Sequence, residues 1–165
     1  MIKIFLLSFL FIKHATSSLA FPFEGECFFE EVYKNSQSQN GFLLLSQNQI
    51  RYEYLDRNLF TIIYSDNEIK VFNNKTLMPI NDLNKQQMEL FLNMADSIKQ
   101  YPYKDNQILK ENLTILFEPG ISNEFPRRIV VKSNAVNLSI YLYDCISKPI
   151  NKLFFKSDPL FLYKK

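Results

Sequence analysis

Apolar and polar residues alternate with a period of two along most of the chain, the mark of strands that bury one face. The alternation is strictest over residues 49–54 (QIRYEY), where Ile50, Tyr52 and Tyr54 share one face and Gln49, Arg51 and Glu53 the other. The same pattern predicts strands at 28–34, 42–45, 59–64, 68–72, 113–118, 127–132 and 136–143, with further strand segments at 153–155 and 160–163 closing the chain. Polar breaks separate these runs. One is Ser36-Gln37-Ser38-Gln39-Asn40-Gly41, whose final Asn-Gly is a hairpin signal, and others are Asp56-Arg57-Asn58, Ser65-Asp66-Asn67 and Pro119-Gly120. Connections this short imply antiparallel neighbours, hence a β-meander.

One stretch changes period. Between Pro79 and Pro102, Phe91, Met94, Ala95 and Ile98 recur at i, i+3, i+4 and i+7, the stripe of an amphipathic helix. Asn84 is placed to cap it, with Gln87 three residues on as in a capping box. Such a helix must lay its stripe on the sheet, either as ordinary core cover or as a lid over a cavity.

The first 20 residues read as an export signal. Lys3 precedes an apolar run at 4–12, Lys13 ends that run, and Ser18-Leu19-Ala20 forms a small-x-small cleavage site. The run is shorter than the roughly 20 residues that span a bilayer. Cleavage after Ala20 leaves 21–165 as a single domain and alters the composition. Lys3 and Lys13 leave with the signal, so 17 basic residues face 17 acidic ones and the net charge of +2 disappears. A neutral chain without a clustered basic surplus is a poor partner for nucleic acid. The one histidine, His14, leaves as well. Ser-His-Asp and Cys-His catalysis and His-ligated metals are thereby excluded. Three glycines, Gly25, Gly41 and Gly120, make no phosphate-cradling run. The close carboxylate pairs are Glu24/Glu26 and Glu30-Glu31, and nothing in their spacing sets one acid across a cleft from another. The expectation is a protein that is no enzyme, with no catalytic residues, no metal and no cofactor.

Cys27 and Cys145 lie in an early and a late strand. In an exported chain they suggest a disulfide, which the chain-entropy model values at about 4–5 kcal/mol for so long a loop. Two buried free thiols are the alternative. Sixteen Phe and nine Tyr, with no Trp, supply more apolar surface than a single sheet and one helix need for themselves. The surplus either lines a pocket on a concave face or fills a barrel interior.

The order of these motifs resembles the LolA family, periplasmic carriers of outer-membrane lipoproteins. The resemblance rests on Phe29-x-Glu31-Val32, Gly41-Phe42-Leu43-Leu44-Leu45, Ile50-Arg51-Tyr52-Glu53-Tyr54, Ser65-Asp66-Asn67 and Val71-Phe72-Asn73. It continues with 113–117 (LTILF), Pro126-Arg127-Arg128-Ile129 and a final strand near Leu153-Phe154-Phe155. The family's Arg-Pro ahead of its "R-x-E-Y" strand is replaced by Ser46-Gln47-Asn48, and its longer N-terminal helix has only residues 21–26 as a counterpart. The resemblance implies a mainly β fold with a helical lid, an incomplete antiparallel β-barrel of the LolA/LolB half-barrel kind. It implies a periplasmic location in a Gram-negative-type cell, and carriage of lipoprotein acyl chains from an inner-membrane release complex to an outer-membrane receptor, by a monomer. The residues expected to meet the hydrophobic ligand are Ile50, Tyr52, Tyr54, Ile69, Val71, Leu113, Ile115, Phe117, Val136, Leu138, Ile140 and Leu142. Phe91, Met94 and Ile98 are expected to form the lid. The alternatives are a binder of another lipid on the same half-barrel, or a structural or interaction module with a filled interior that offers an edge strand to a partner.

Overall fold

A computed structural model describes residues 24–66, 68–81, 85–99, 101, 107–110, 112–121, 124–134 and 136–156. The expected export signal, the expected Asn84 cap and the strand expected at 160–163 lie outside them. The described residues form nine strands: β1 (Gly25–Tyr33), β2 (Ser38–Ser46), β3 (Gln49–Tyr54), β4 (Phe60–Ser65), β5 (Glu68–Asn73), β6 (Gln107–Lys110), β7 (Leu113–Pro119), β8 (Pro126–Ser133) and β9 (Asn137–Ser147). One helix, α1 (Lys85–Lys99), lies between β5 and β6, and a 3-10 helix (Lys152–Phe155) follows β9. All pairings are antiparallel within one open sheet of order β5-β4-β3-β2-β1-β9-β8-β7-β6.

Each half of this sheet is a meander, and the halves join where β1 pairs with β9. The expected disulfide forms at that seam, between Cys27 and Cys145. The β1–β9 register shifts between Glu26 and Phe28, and Asp144 there takes a φ of 49°. The bulge brings the two cysteines face to face.

The sheet curls. β5 and β8 are six strand spacings apart in the order, about 29 Å if flat at ~4.8 Å per strand. Nevertheless Ile69 and Val71 of β5 line the same cavity as Val131 of β8. Helix α1, which joins one sheet edge to the other, packs Phe91, Met94, Ala95 and Ile98 onto the inner face with Phe29, Leu43, Tyr52 and Ile115. The helical stripe is buried as the spacing predicts.

Two expectations need correction. The hairpin turn falls at 34–37, with Ser36 at φ 64°, and Asn40 and Gly41 belong to β2. Gly41 is a packing glycine: it pairs with Phe29, and a Cβ there would collide with the Phe29 ring and the Glu53 carbonyl. Residues 152–155 form a 3-10 helix capped by the Asn151 side chain, which accepts from the Leu153 N–H at 3.0 Å. The short strand β6 has no counterpart among the expected strands.

That C-terminal segment explains the outer face of β3. Ile150 and Phe155 pack with Phe42, Leu44 and Ile63. Beneath them Arg51 and Glu53 are completely buried, at 0% exposure. Arg51 Nε donates to Glu53 Oε2 at 2.7 Å, and Arg51 Nη1 donates to the Phe154 carbonyl at 2.7 Å. Burial pushes the Glu53 carboxyl up to about 6, against the pull of the Arg51 charge and its hydrogen bond.

Candidate ligand cavity

The inner face of β3 and its neighbours does not close completely under α1. A cavity of about 390 Å³ remains, lined mainly by apolar side chains. The position of α1 explains where it lies. Toward the Ile50 end of β3, Ile98 near the end of the helix and Tyr101 beyond it fill the interior. Tyr101 lies 5.6 Å from the Phe117 ring, and Phe125, Ile129 and Leu142 complete that packing. Toward the Tyr54 end, the N-terminal half of α1 stands over the sheet and Met88, Leu90, Phe91 and Met94 form the roof.

Of the residues expected to meet a ligand, Tyr52, Tyr54, Ile69, Val71, Val136, Leu138 and Ile140 line the cavity, under Phe91 and Met94 of the expected lid. Ile50, Ile115, Phe117, Leu142 and Ile98 do not. They share the inner face but sit in the filled end, buried against one another. Leu113 packs at the margin of the same core. Alternation finds the inner face but carries no information on which end of each strand the helix fills.

Sequence reasoning missed Phe60, Ile62, Ile80, Met88, Leu90 and Val131 as lining residues, and above all Glu31 and Tyr33. Ile80 arrives because the chain after β5 folds back along that edge, its N–H donating to the Val71 carbonyl at 2.8 Å. Glu31 and Tyr33 were legible in principle. They continue the inner-face alternation of Cys27 and Phe29, and a charged residue at an inward position breaks the local rule in a way that marks functional or strained sites.

Glu31 is 5% exposed. Three phenol hydroxyls donate to its carboxylate: Tyr52 to Oε1 at 2.7 Å, Tyr54 to Oε2 at 2.7 Å and Tyr33 to Oε2 at 2.6 Å. Burial, reinforced by the Glu31 charge, holds all three phenols above their ordinary pKa. The rings interlock. Phe29 stacks on Tyr52 at 4.0 Å, Tyr52 meets Tyr54 edge-on at 5.5 Å, and Tyr54 meets Phe60 edge-on at 5.0 Å.

Beside this cluster the cavity adjoins a more open, polar vestibule of about 660 Å³. Lys34, Asn35, Gln37, Gln39, Ser133, Asn134 and Asn137 line the vestibule, and Tyr33, Tyr54, Phe60 and Val136 belong to both spaces. Through Tyr33 and Tyr54 the carboxylate–phenol cluster thus stands where an apolar chamber meets a more polar one. Among the described residues no group of His, Cys, Asp and Glu is arranged to hold a metal ion, and no helix is long and apolar enough to cross a membrane. No protein-family model matches the chain, and no curated protein matches it either.

Proposed function

We propose that the protein is a periplasmic carrier that shelters acyl chains in this cavity. The observation that carries the reading is the unfilled apolar space on the curled sheet beneath Met88, Phe91 and Met94 of α1. Its volume lies within the roughly 300–1,000 Å³ of pockets that bury small hydrophobic ligands. The disulfide fits an oxidising, exported compartment. A curled open sheet with one helix across it fits the incomplete barrel that the LolA-like motifs imply.

A hydrocarbon chain entering the cavity gains about 25 cal/mol for each Å² of apolar surface it removes from water. Lifting of the α1 face that carries Met88 and Met94 from the sheet would widen the way in. On this reading the cargo is the acyl part of a lipoprotein, received from an inner-membrane release complex and handed to an outer-membrane receptor. A carrier of another lipid would use the same cavity. Two experiments test the proposal. Organic extraction of the purified protein, followed by mass spectrometry, is expected to yield bound lipid. Depletion of the protein in its own cell is expected to stall outer-membrane lipoproteins at the inner membrane. A lipid-free protein that takes up no hydrophobic probe overturns the carrier reading, and bound lipid without stalling assigns a different cargo.

A further inference from the structure

Glu31 gives the cavity a chemical preference that its apolar walls do not. The carboxylate is surrounded by hydroxyl donors, and among the described residues no lysine or arginine nitrogen lies within 4.0 Å of it. A carboxylate accepts and never donates, so Glu31 is an acceptor for each of the Tyr33, Tyr52 and Tyr54 hydroxyls. What the cluster offers a ligand is lone pairs, a negative charge and the aromatic faces beside it. Hydrogen bonds from three neutral donors satisfy the buried carboxylate's geometry and bring no positive charge to it. Carboxylate and aromatic rings together are the surroundings that hold an ammonium group.

We propose, resting on the cavity reading above, that the site selects an amphiphile whose hydrocarbon chain ends in an ammonium head, with the nitrogen against Glu31 beside the Tyr33, Tyr54 and Phe60 rings. Position sets the orientation. Tyr33 and Tyr54 border both spaces, so a head at Glu31 leaves the chain to run under α1, among Ile62, Ile69 and Met94, and any larger substituent to emerge into the vestibule. The same charge disfavours a fatty-acid carboxylate, which would face Glu31 like to like. If Glu31 served only to tie β1 to β3, equal chains with opposite head charges would bind alike.

The test is displacement of a neutral dye, Nile red, from the purified protein by dodecylamine and by dodecanoate at neutral pH. The amine is expected to displace the dye at a concentration about tenfold or more below that of the carboxylate. In Glu31→Gln that ratio is expected to collapse toward one, with the fold checked by circular dichroism. Lysophosphatidylethanolamine, whose ammonium lies beyond a phosphate, separates the two sources of the head. Displacement on a par with dodecylamine assigns a lipid headgroup, and weaker displacement assigns an amine borne directly on the chain. Equal displacement by amine and carboxylate in the native protein overturns the proposal while the carrier reading stands, and so does a preference that survives in Glu31→Gln. If that variant does not fold, the native ratio alone decides. Failure of Nile red to bind overturns both readings.

Discussion

Tyr54 on β3 donates its hydroxyl to Glu31 on β1 at 2.7 Å, reaching over the intervening strand β2. Gly41 makes the reach possible. It lies in register between Phe29 and Tyr54, and having no side chain it leaves the space above β2 to their rings, which meet edge-on at 5.6 Å. With Tyr52 and Tyr33 bound to the same carboxylate, the folded state holds three phenolic protons more tightly than an unfolded chain does. A raised phenol pKa stabilises the fold fully below the unfolded value of about 10, and that stability is lost as pH rises beyond it. Alkaline titration of phenolate absorbance is therefore expected to show at least three of the nine tyrosines ionising only as the fold is lost. Reversible ionisation of all nine near pH 10, with an unchanged circular dichroism spectrum, would contradict this network.

The buried pair on the opposite face gives a second expectation. Arg51 and Glu53 are both fully desolvated and bonded to each other. Removing one partner leaves an uncompensated buried charge, so Arg51→Met is expected to cost about 3–5 kcal/mol in denaturant unfolding. The double variant Arg51→Met with Glu53→Leu replaces the pair by apolar volume and is expected to recover most of that loss. Equal destabilisation by the single and double variants would show that the charges were not coupled.

The disulfide closes a loop with a sequence separation of 118. Its removal frees the unfolded chain far more than it alters the packed seam between β1 and β9. Replacing Cys27 and Cys145 together by alanine is expected to lower the unfolding free energy by about 2–5 kcal/mol, with the sheet's circular dichroism retained. An unchanged unfolding midpoint would be the contrary result.

Much of this fold could be read from the chain. Alternation located β1–β5 and β7–β9 and sorted Ile50, Tyr52 and Tyr54 from Arg51 and Glu53, because a pleated strand with one buried face writes its period into the residues. The helical stripe from Phe91 to Ile98 was equally plain. What alternation cannot say is what covers each face. Arg51 and Glu53 look like solvent-facing residues until Phe154, 103 residues later, arrives to accept a hydrogen bond over them. Asn40-Gly41 looks like a turn because the ring that occupies the space over Gly41 belongs to another strand. The cavity was half legible for the same reason. Its strands were identified, but its ends are set by which part of α1 and which of Tyr101 and Phe117 reach the sheet, a matter of long-range packing. The run at 28–34 puts Glu31 on one face with Phe29 and Tyr33 without saying that this face is the inner one, and only the convergence of three tyrosines from β1 and β3 shows where the carboxylate lies and what it is bonded to.

The carrier reading requires the space beneath Met88, Phe91 and Met94 to be a ligand site. The most direct measurement is Nile red fluorescence on the native protein and on two variants that fill the cavity from opposite sides, Ile69→Trp on β5 and Leu138→Trp on β9. The native protein is expected to bind the dye with a blue-shifted emission, and each tryptophan to weaken binding by about tenfold or more while the thermal unfolding midpoint stays within a few degrees. Binding that is unaffected by either tryptophan would place the ligand elsewhere and contradict the account.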